Sequence, residues 1–263
     1  MADAPLKLYW WDAKPNFGDE LSRVVTGFAS GREVVHAPPR KAEIFSVGSV
    51  LQFAKRAWGK EGRPAHRPAI WGTGMMTALK TDFVEHMDIH MLRGPITASL
   101  LGVKTESYGD PGLLTAEALG PRPDRHDQIG LVLHHSQLGD ERIAALLKAE
   151  PRVTYIDVQG SAEEVCRAIG ACAHVISSSL HGLIVADSYG IPNTWLDPMA
   201  HARLKYYDYA AGVGRVLPLP LAHENIAAAL PKLATGELPY ASGLAAAKDR
   251  LIQNFPSHLR AGA

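Results

Sequence analysis

The sequence has almost no cysteine: Cys166 and Cys172 are the two it contains. They form neither a metal-ligand spacing nor a disulfide framework, which fits a reducing compartment. It has no excess of either charge. Lys plus Arg and Asp plus Glu are each 27, so no global field recommends nucleic acid or an anionic membrane as a partner, and any anion must be met by local groups. It has no apolar run near the roughly 20 residues of a membrane span, and MADAPLKLYWWD at the amino terminus holds no signal-peptide core. The reading is a cytoplasmic protein. No internal repeat or low-complexity tract is present. What is there is a large apolar share, 46% over 263 residues, enough for a sizeable core in one unit or two.

Short apolar runs alternate with longer segments of helical period, the pattern of α/β layers around a largely parallel sheet. LKLYWW, EVVHA, EIFSVGS, PAIWGTG and IHMLRG read as strands, each ending in glycine or a small polar residue or running into the next turn. After the Pro, Arg and Asp-rich stretch from Gly120 to Gln128, a linker by composition, the rhythm restarts with IGLVLHH, VTYIDV, HVISSS and NTWLD. Helices are expected at Asp140 to Lys148, Ser161 to Ala171 and Leu183 to Ser188, with two more in the tail at Glu224 to Leu233 and Ser242 to Asn254. The expected architecture is α/β, two Rossmann-like domains facing a cleft, with C-terminal helices packing back. Its boundaries are 1–122, 123–215 and a helical tail at 216–263.

In such sheets ligands lie beyond the carboxyl ends of strands, near helix amino termini. The stretch ISSSLHGLIVADSYGIP offers that junction. Ser178 and Ser179 turn the chain, and His181 with Gly182 opens a helix. Free N–H groups there, hydroxyls beside them and no side chain at Gly182 suit a phosphate, with His181 able to exchange a proton near neutral pH. Serines that merely cap the helix, with a histidine filling a gap, explain the same spacing. PNFGDELSRVV repeats the logic: Asn16, Gly18 and Asp19 occupy a turn and helix start, and Leu21, Val24, Val25 and Phe28 supply a buried stripe. Asp19 is either aimed into the cleft or an N-cap. Further strand ends carry Gly48 and Ser49, then Gly72, Thr73 and Gly74, then Arg93; Asp110 precedes a Pro-started helix. His86 and His90 could share a helix face, but no third ligand is near and no metal is expected.

Taken in order, NFGDEL, SVGSV, WGTG, LRGP, YGDPGLL and SSSLHGLIVADSYGIP resemble the motif series of the polysaccharide pyruvyl transferase family, over Asn16 to Pro192. The resemblance implies a GT-B-like fold, phosphoenolpyruvate as donor and a glycan or lipid-linked oligosaccharide as acceptor. It implies a pyruvate ketal as product, no cofactor and contact with the membrane through the acceptor alone. The family's catalytic His falls on His181 and its donor-binding Arg on Arg93. One departure stands out: many members carry an Arg two positions before that His, and this chain has Ser179. Ser178, Ser179 and Gly182 would then hold the donor with Arg93, aided by a cation from HARLKYYDY, where Arg203 and Lys205 are candidates. Asp19 would take a proton from the acceptor. The alternatives are a small glycosyltransferase using a nucleotide sugar, with Asp197 on the ribose, and a non-catalytic glycan- or phosphate-binding module.

Overall fold

A computed structural model describes residues 3–59, 66–124, 127–134, 137 and 139–263. Two parallel sheets organise them. The first holds β1 (Leu6–Tyr9), β2 (Val34–His36), β3 (Ile44–Phe45), β4 (Ala69–Trp71) and β5 (Asp88–Met91) in the order β2-β1-β3-β4-β5. The second holds β6 (Ile129–Val132), β7 (Val153–Ile156), β8 (His174–Ser177) and β9 (Asn193–Trp195) in the order β7-β6-β8-β9. Each strand falls within a run expected from the sequence, β5 beginning one residue earlier. β4, β6 and β8 are buried at every position, because helices cover both faces of a parallel sheet and leave no polar side to alternate with.

The helices are α1 (Phe17–Ser30), α2 (Leu51–Trp58), α3 (Pro95–Leu101), α4 (Thr115–Leu119), α5 (Glu141–Ala149), α6 (Ala162–Ala171), α7 (Leu180–Ser188), α8 (Leu204–Gly212), α9 (Ile226–Ala229) and α10 (Ala241–Gln253). A Ser161–Glu164 capping box starts α6. Although α10 is the last of these helices in the sequence, it returns to the first sheet. Trp71 Nε1 donates to the Leu251 carbonyl at 3.0 Å, and Phe255 meets the Trp71 ring edge-on at 4.9 Å. The two sheets are joined by α1: Phe17 N–H donates to the Val158 carbonyl at 2.9 Å, and Ala162 N–H to Glu20 at 3.1 Å.

Several expectations are corrected. Asn16, not Asp19, caps α1, its side chain accepting from Gly18 N–H at 3.0 Å; Asp19 lies inside the first turn. Phe28 is 45% exposed, since the buried face of α1 turns through Phe17, Leu21 and Val25. The Glu224 to Leu233 segment is broken into short turns around α9, with Pro231 unable to continue a helix. His86 closes a 3-10 turn and His90 lies on β5 bonded to Asp88, so they share no helix face. The described residues hold no cluster of three metal-ligating side chains. Of the expected linker, Arg125 and His126 lie outside the described residues, as does His135 at the end of IGLVLHH. No described helix is long and apolar enough to cross a membrane.

Strand order reverses between β1 and β3 in the first sheet and between β6 and β8 in the second. Such switch points leave a crevice at the carboxyl ends of the strands, where open α/β sheets take their ligands. Here both crevices open on one cleft.

Candidate active site

The cleft encloses about 370 Å³. Each strand that flanks a switch point supplies a wall: Trp11 and Asn16 follow β1, Gly48 and Ser49 follow β3, His134 follows β6, and Ser179 and His181 follow β8. Asp19 and Lys205 complete its polar end.

Local geometry explains why the serine run and the histidine occur together. Ser177 Oγ accepts from Ser179 N–H at 3.0 Å and faces the Val132 carbonyl at 3.0 Å, which sets the turn. Gly182 must lack a side chain, for a Cβ there would stand 2.3 Å from that hydroxyl. Ser178 is consumed: its hydroxyl donates to Gln137 and accepts from His134 N–H. Ser179 occupies the N-cap position of α7 with extended backbone, yet its side chain makes no capping bond. The simple capping explanation therefore fails at the residue best placed for it. The Ser179 hydroxyl and the positive end of α7 are presented to the cleft instead.

His181 lies in the first turn of α7 with Nε2 buried and without a hydrogen-bond partner. Burial, then the nearby charges of Lys205 and Arg93, pull its pKa down to about 3, so the imidazole is neutral at physiological pH. Burial pushes Asp19 up to about 7, against the pull of Lys205. It also brings Lys205 down to about 8, assisted by Arg93 and opposed by Asp19. Lys205 makes no ion pair with any described residue; its ammonium sits 5.3 Å from the Tyr206 ring centroid. Asp19 Oδ1 and His181 Cε1 both face the α-carbon of Gly48, which is in the left-handed region at φ 91° and leaves the space between them open.

The remaining expected residues separate into wall and support. Arg93 does not face the cleft. It is wholly buried behind Ser49, with Nε donating to Asp208 at 3.0 Å, because α8 brings a carboxylate to it from far along the chain. Thr73 Oγ1 donates to the Gly48 carbonyl at 2.8 Å and so fixes the Gly48 loop from outside. A Cβ on Gly74 would strike the Arg93 guanidinium, and one on Gly72, at φ 82°, would strike Pro111. Asp110 caps the turn at Pro111–Leu114 through Gly112 N–H; burial holds it up at about 6. Arg203 pairs with Asp197 at 3.0 Å, and neither lines the cleft. Gly18 lies beneath His181.

Sequence reasoning missed Trp11, Gln52, Phe53, Met76, His134 and His201 on the walls, and Asp208 behind them. Asp208 did leave a signal, standing three residues from Lys205 and so on the same face of a helix.

Two parallel α/β sheets whose switch points share one cleft define a GT-B-like protein. The chain belongs to the polysaccharide pyruvyl transferase family, whose model matches residues 60–198. It is 27% identical over 216 residues to the succinoglycan biosynthesis protein ExoV of Rhizobium meliloti, covering 80% of this chain and 65% of that protein. It is 29% identical over 162 residues to the uncharacterized protein L143 of Acanthamoeba polyphaga mimivirus, covering 55% of this chain and 54% of that one. The chain thus spans between about half and two thirds of the length of these relatives. Among solved structures, a putative UDP-N-acetylglucosamine 2-epimerase from Listeria monocytogenes is similar with a TM-score of 0.52 at 10% identity, covering 96% of this chain and 91% of that one. That likeness is one of fold alone.

Proposed function

We propose that this protein transfers the pyruvyl group of phosphoenolpyruvate to two hydroxyls of one sugar in a polysaccharide or lipid-linked oligosaccharide, releasing phosphate and forming a pyruvate ketal. One observation carries the reading: His181, whose buried Nε2 has no hydrogen-bond partner among the described residues, lines one cleft with the amino-terminal end of α7 and with Lys205, which makes no ion pair with any described residue. A phosphate and a carboxylate need cations and N–H groups; the transfer of protons needs a titratable base beside them. Residues 1–122 would serve the acceptor and 123–215 the donor, with Arg93 acting on the donor from the first of these. The protein would work in the cytoplasm, meeting a membrane through its acceptor.

The proton ledger defines what the site must do. Two acceptor hydroxyls each lose a proton; one proton ends on C3 of the donor, making the methyl group, and the other leaves with phosphate. Protonation at C3 gives C2 oxocarbenium character, the first hydroxyl adds there, phosphate departs, and the second hydroxyl closes the ring. Lys205, Ser179 and the start of α7 suit the anionic groups of the donor. His181 is the general acid or base next to them. Its neutral state makes it able to accept a proton, and a bound polyanion would raise its pKa and turn it into an acid. Asp19, near neutrality in its titration, suits the second proton. Trp11 and Phe53 offer apolar surface to a sugar ring on the acceptor side.

The experiment is phosphate release from phosphoenolpyruvate, measured with and without a panel of oligosaccharides. Release that requires both substrates supports transfer. Hydrolysis without any sugar, or sugar release from a nucleotide sugar, would replace this reading.

A further inference from the structure

Arg93 carries its charge into a space closed to solvent and is held from every side. Nε donates to Asp208 at 3.0 Å, Nη2 to the Met75 carbonyl at 2.8 Å, and Nη1 to Ser49 Oγ at 2.8 Å. Asp208 is itself fixed by Thr97, whose N–H and hydroxyl donate to it at 2.8 and 2.7 Å. Gly74 makes the arrangement possible, because a Cβ there would lie 2.4 Å from the guanidinium carbon. Of the three acceptors, only Ser49 reaches the cleft.

A guanidinium has donors and no acceptor, so the direction of the third bond is fixed: Ser49 Oγ accepts. The hydroxyl proton of Ser49 is then left over, and no described residue accepts it. A hydroxyl that accepts from a cation becomes a stronger donor, since hydrogen bonds in series polarise one another. What such a proton seeks is an oxyanion.

We infer that Ser49 binds an oxyanion of the donor, its hydroxyl turned and polarised by Arg93, which makes Arg93 a positioning residue and not itself a donor ligand. The inference rests on the donor reading above, and the chemistry required is a phosphate or carboxylate oxygen. It also gives the buried Arg93–Asp208 pair a purpose. The pair leaves the arginine's charge balanced and its geometry rigid, while one of its N–H groups still acts on the cleft.

The test is calorimetric titration of the full chain with phosphoenolpyruvate, inorganic phosphate and pyruvate as separate probes. Ser49→Ala should weaken phosphoenolpyruvate binding about tenfold or more in a variant that still folds cooperatively, its melting midpoint lowered because Arg93 Nη1 loses its acceptor. Whichever of phosphate and pyruvate weakens alongside identifies the oxyanion. Arg93→Lys should weaken binding in the presence of Ser49 and change it less than about twofold in the Ser49→Ala background, the coupling expected of one shared path. A merely structural Arg93 would cost the same factor in both backgrounds. Should Arg93→Lys fail to fold, Gly74→Ala, which displaces the guanidinium, takes its place. Wild-type affinity in Ser49→Ala, or equal losses in the two backgrounds, overturns the inference. Phosphate binding that depends on Ser49 without any phosphoenolpyruvate binding defeats the donor reading and leaves the Ser49 site standing. Binding of none of the three probes defeats both.

Discussion

The imidazole of His181 rests on the α-carbon of Gly18: a Cβ at position 18 would stand 2.1 Å from Nδ1 and 2.6 Å from Cγ. Two motifs far apart in the sequence are thereby one device. Glycine at the start of α1 is not needed for its backbone, which is ordinary helix; it is needed because the ring of His181 occupies the space.

Gly18→Ala tests this contact. On an isolated helix the change would gain about 0.5 to 1 kcal/mol. Here the ring or α1 must shift, and overpacking of this kind costs about 1 to 3 kcal/mol. Chemical denaturation should show a net loss of stability, and phosphate release should fall together with the displacement of His181. A stabilised variant with full activity would show that the ring moves aside freely.

Lys205 should set a pH limit on donor binding. Its pKa of about 8 lies below the ordinary lysine range, so its charge is lost early as pH rises. Asp19 gains negative charge through about 7 and acts in the same direction. Phosphoenolpyruvate affinity should therefore decline as pH rises from 7 to 9, even though the donor's own charge is constant there. Lys205→Arg should hold its affinity to higher pH, because guanidinium stays protonated. Lys205→Met should bind about tenfold to a hundredfold more weakly at pH 7. Identical pH profiles for wild type and Lys205→Arg would remove Lys205 from the donor site.

Burial of His181 also predicts an acid sensitivity. The ordinary histidine pKa is 6.5, and His181 in the folded chain lies at about 3. Unfolding then lets this ring take up a proton, so its contribution to stability is intact above pH 6.5 and is lost as pH falls toward 3. Asp19 and Asp110, raised to about 7 and about 6, run the opposite way. The difference between wild type and His181→Asn isolates the histidine: the wild-type melting midpoint should fall relative to the variant below pH 6.5. Parallel midpoints down to pH 4 would mean that the ring is solvated or paired.

Much of this fold was legible in the sequence. Parallel strands covered on both faces leave apolar runs, and the small residues ending HVISSS and EIFSVGS lie where strand gives way to cleft. The junction at His181 was readable for the same reason. α8 was not. Lys205 was named as a cation for the cleft, but LKYYDYAAG was not read as a helix, and Asp208 among its tyrosines reads as a solvent-facing charge; it points inward because Arg93 waits for it. Arg93 was misread by the same rule in reverse. An arginine at a strand end suggests an open anion site, and only a partner 115 residues away reveals a buried ion pair. Local pattern cannot report a contact at that separation. α7 also hid its start, since a helix apolar all round has no face by which periodicity could mark Leu180.

A His181 cleft that moves an intact pyruvyl unit from phosphoenolpyruvate to a glycan must leave the donor's C3 in the product as a methyl group. The direct measurement incubates the protein with phosphoenolpyruvate labelled with carbon-13 at C3 and an oligosaccharide acceptor, then reads the glycan by NMR. The expected product carries a labelled methyl on a ketal carbon bridging two sugar oxygens, formed in step with phosphate release. The rate should fall by roughly two to four orders of magnitude in a folded His181→Asn variant. A folded variant that transfers at the wild-type rate, or phosphate released while the label remains in free pyruvate, would exclude this transfer.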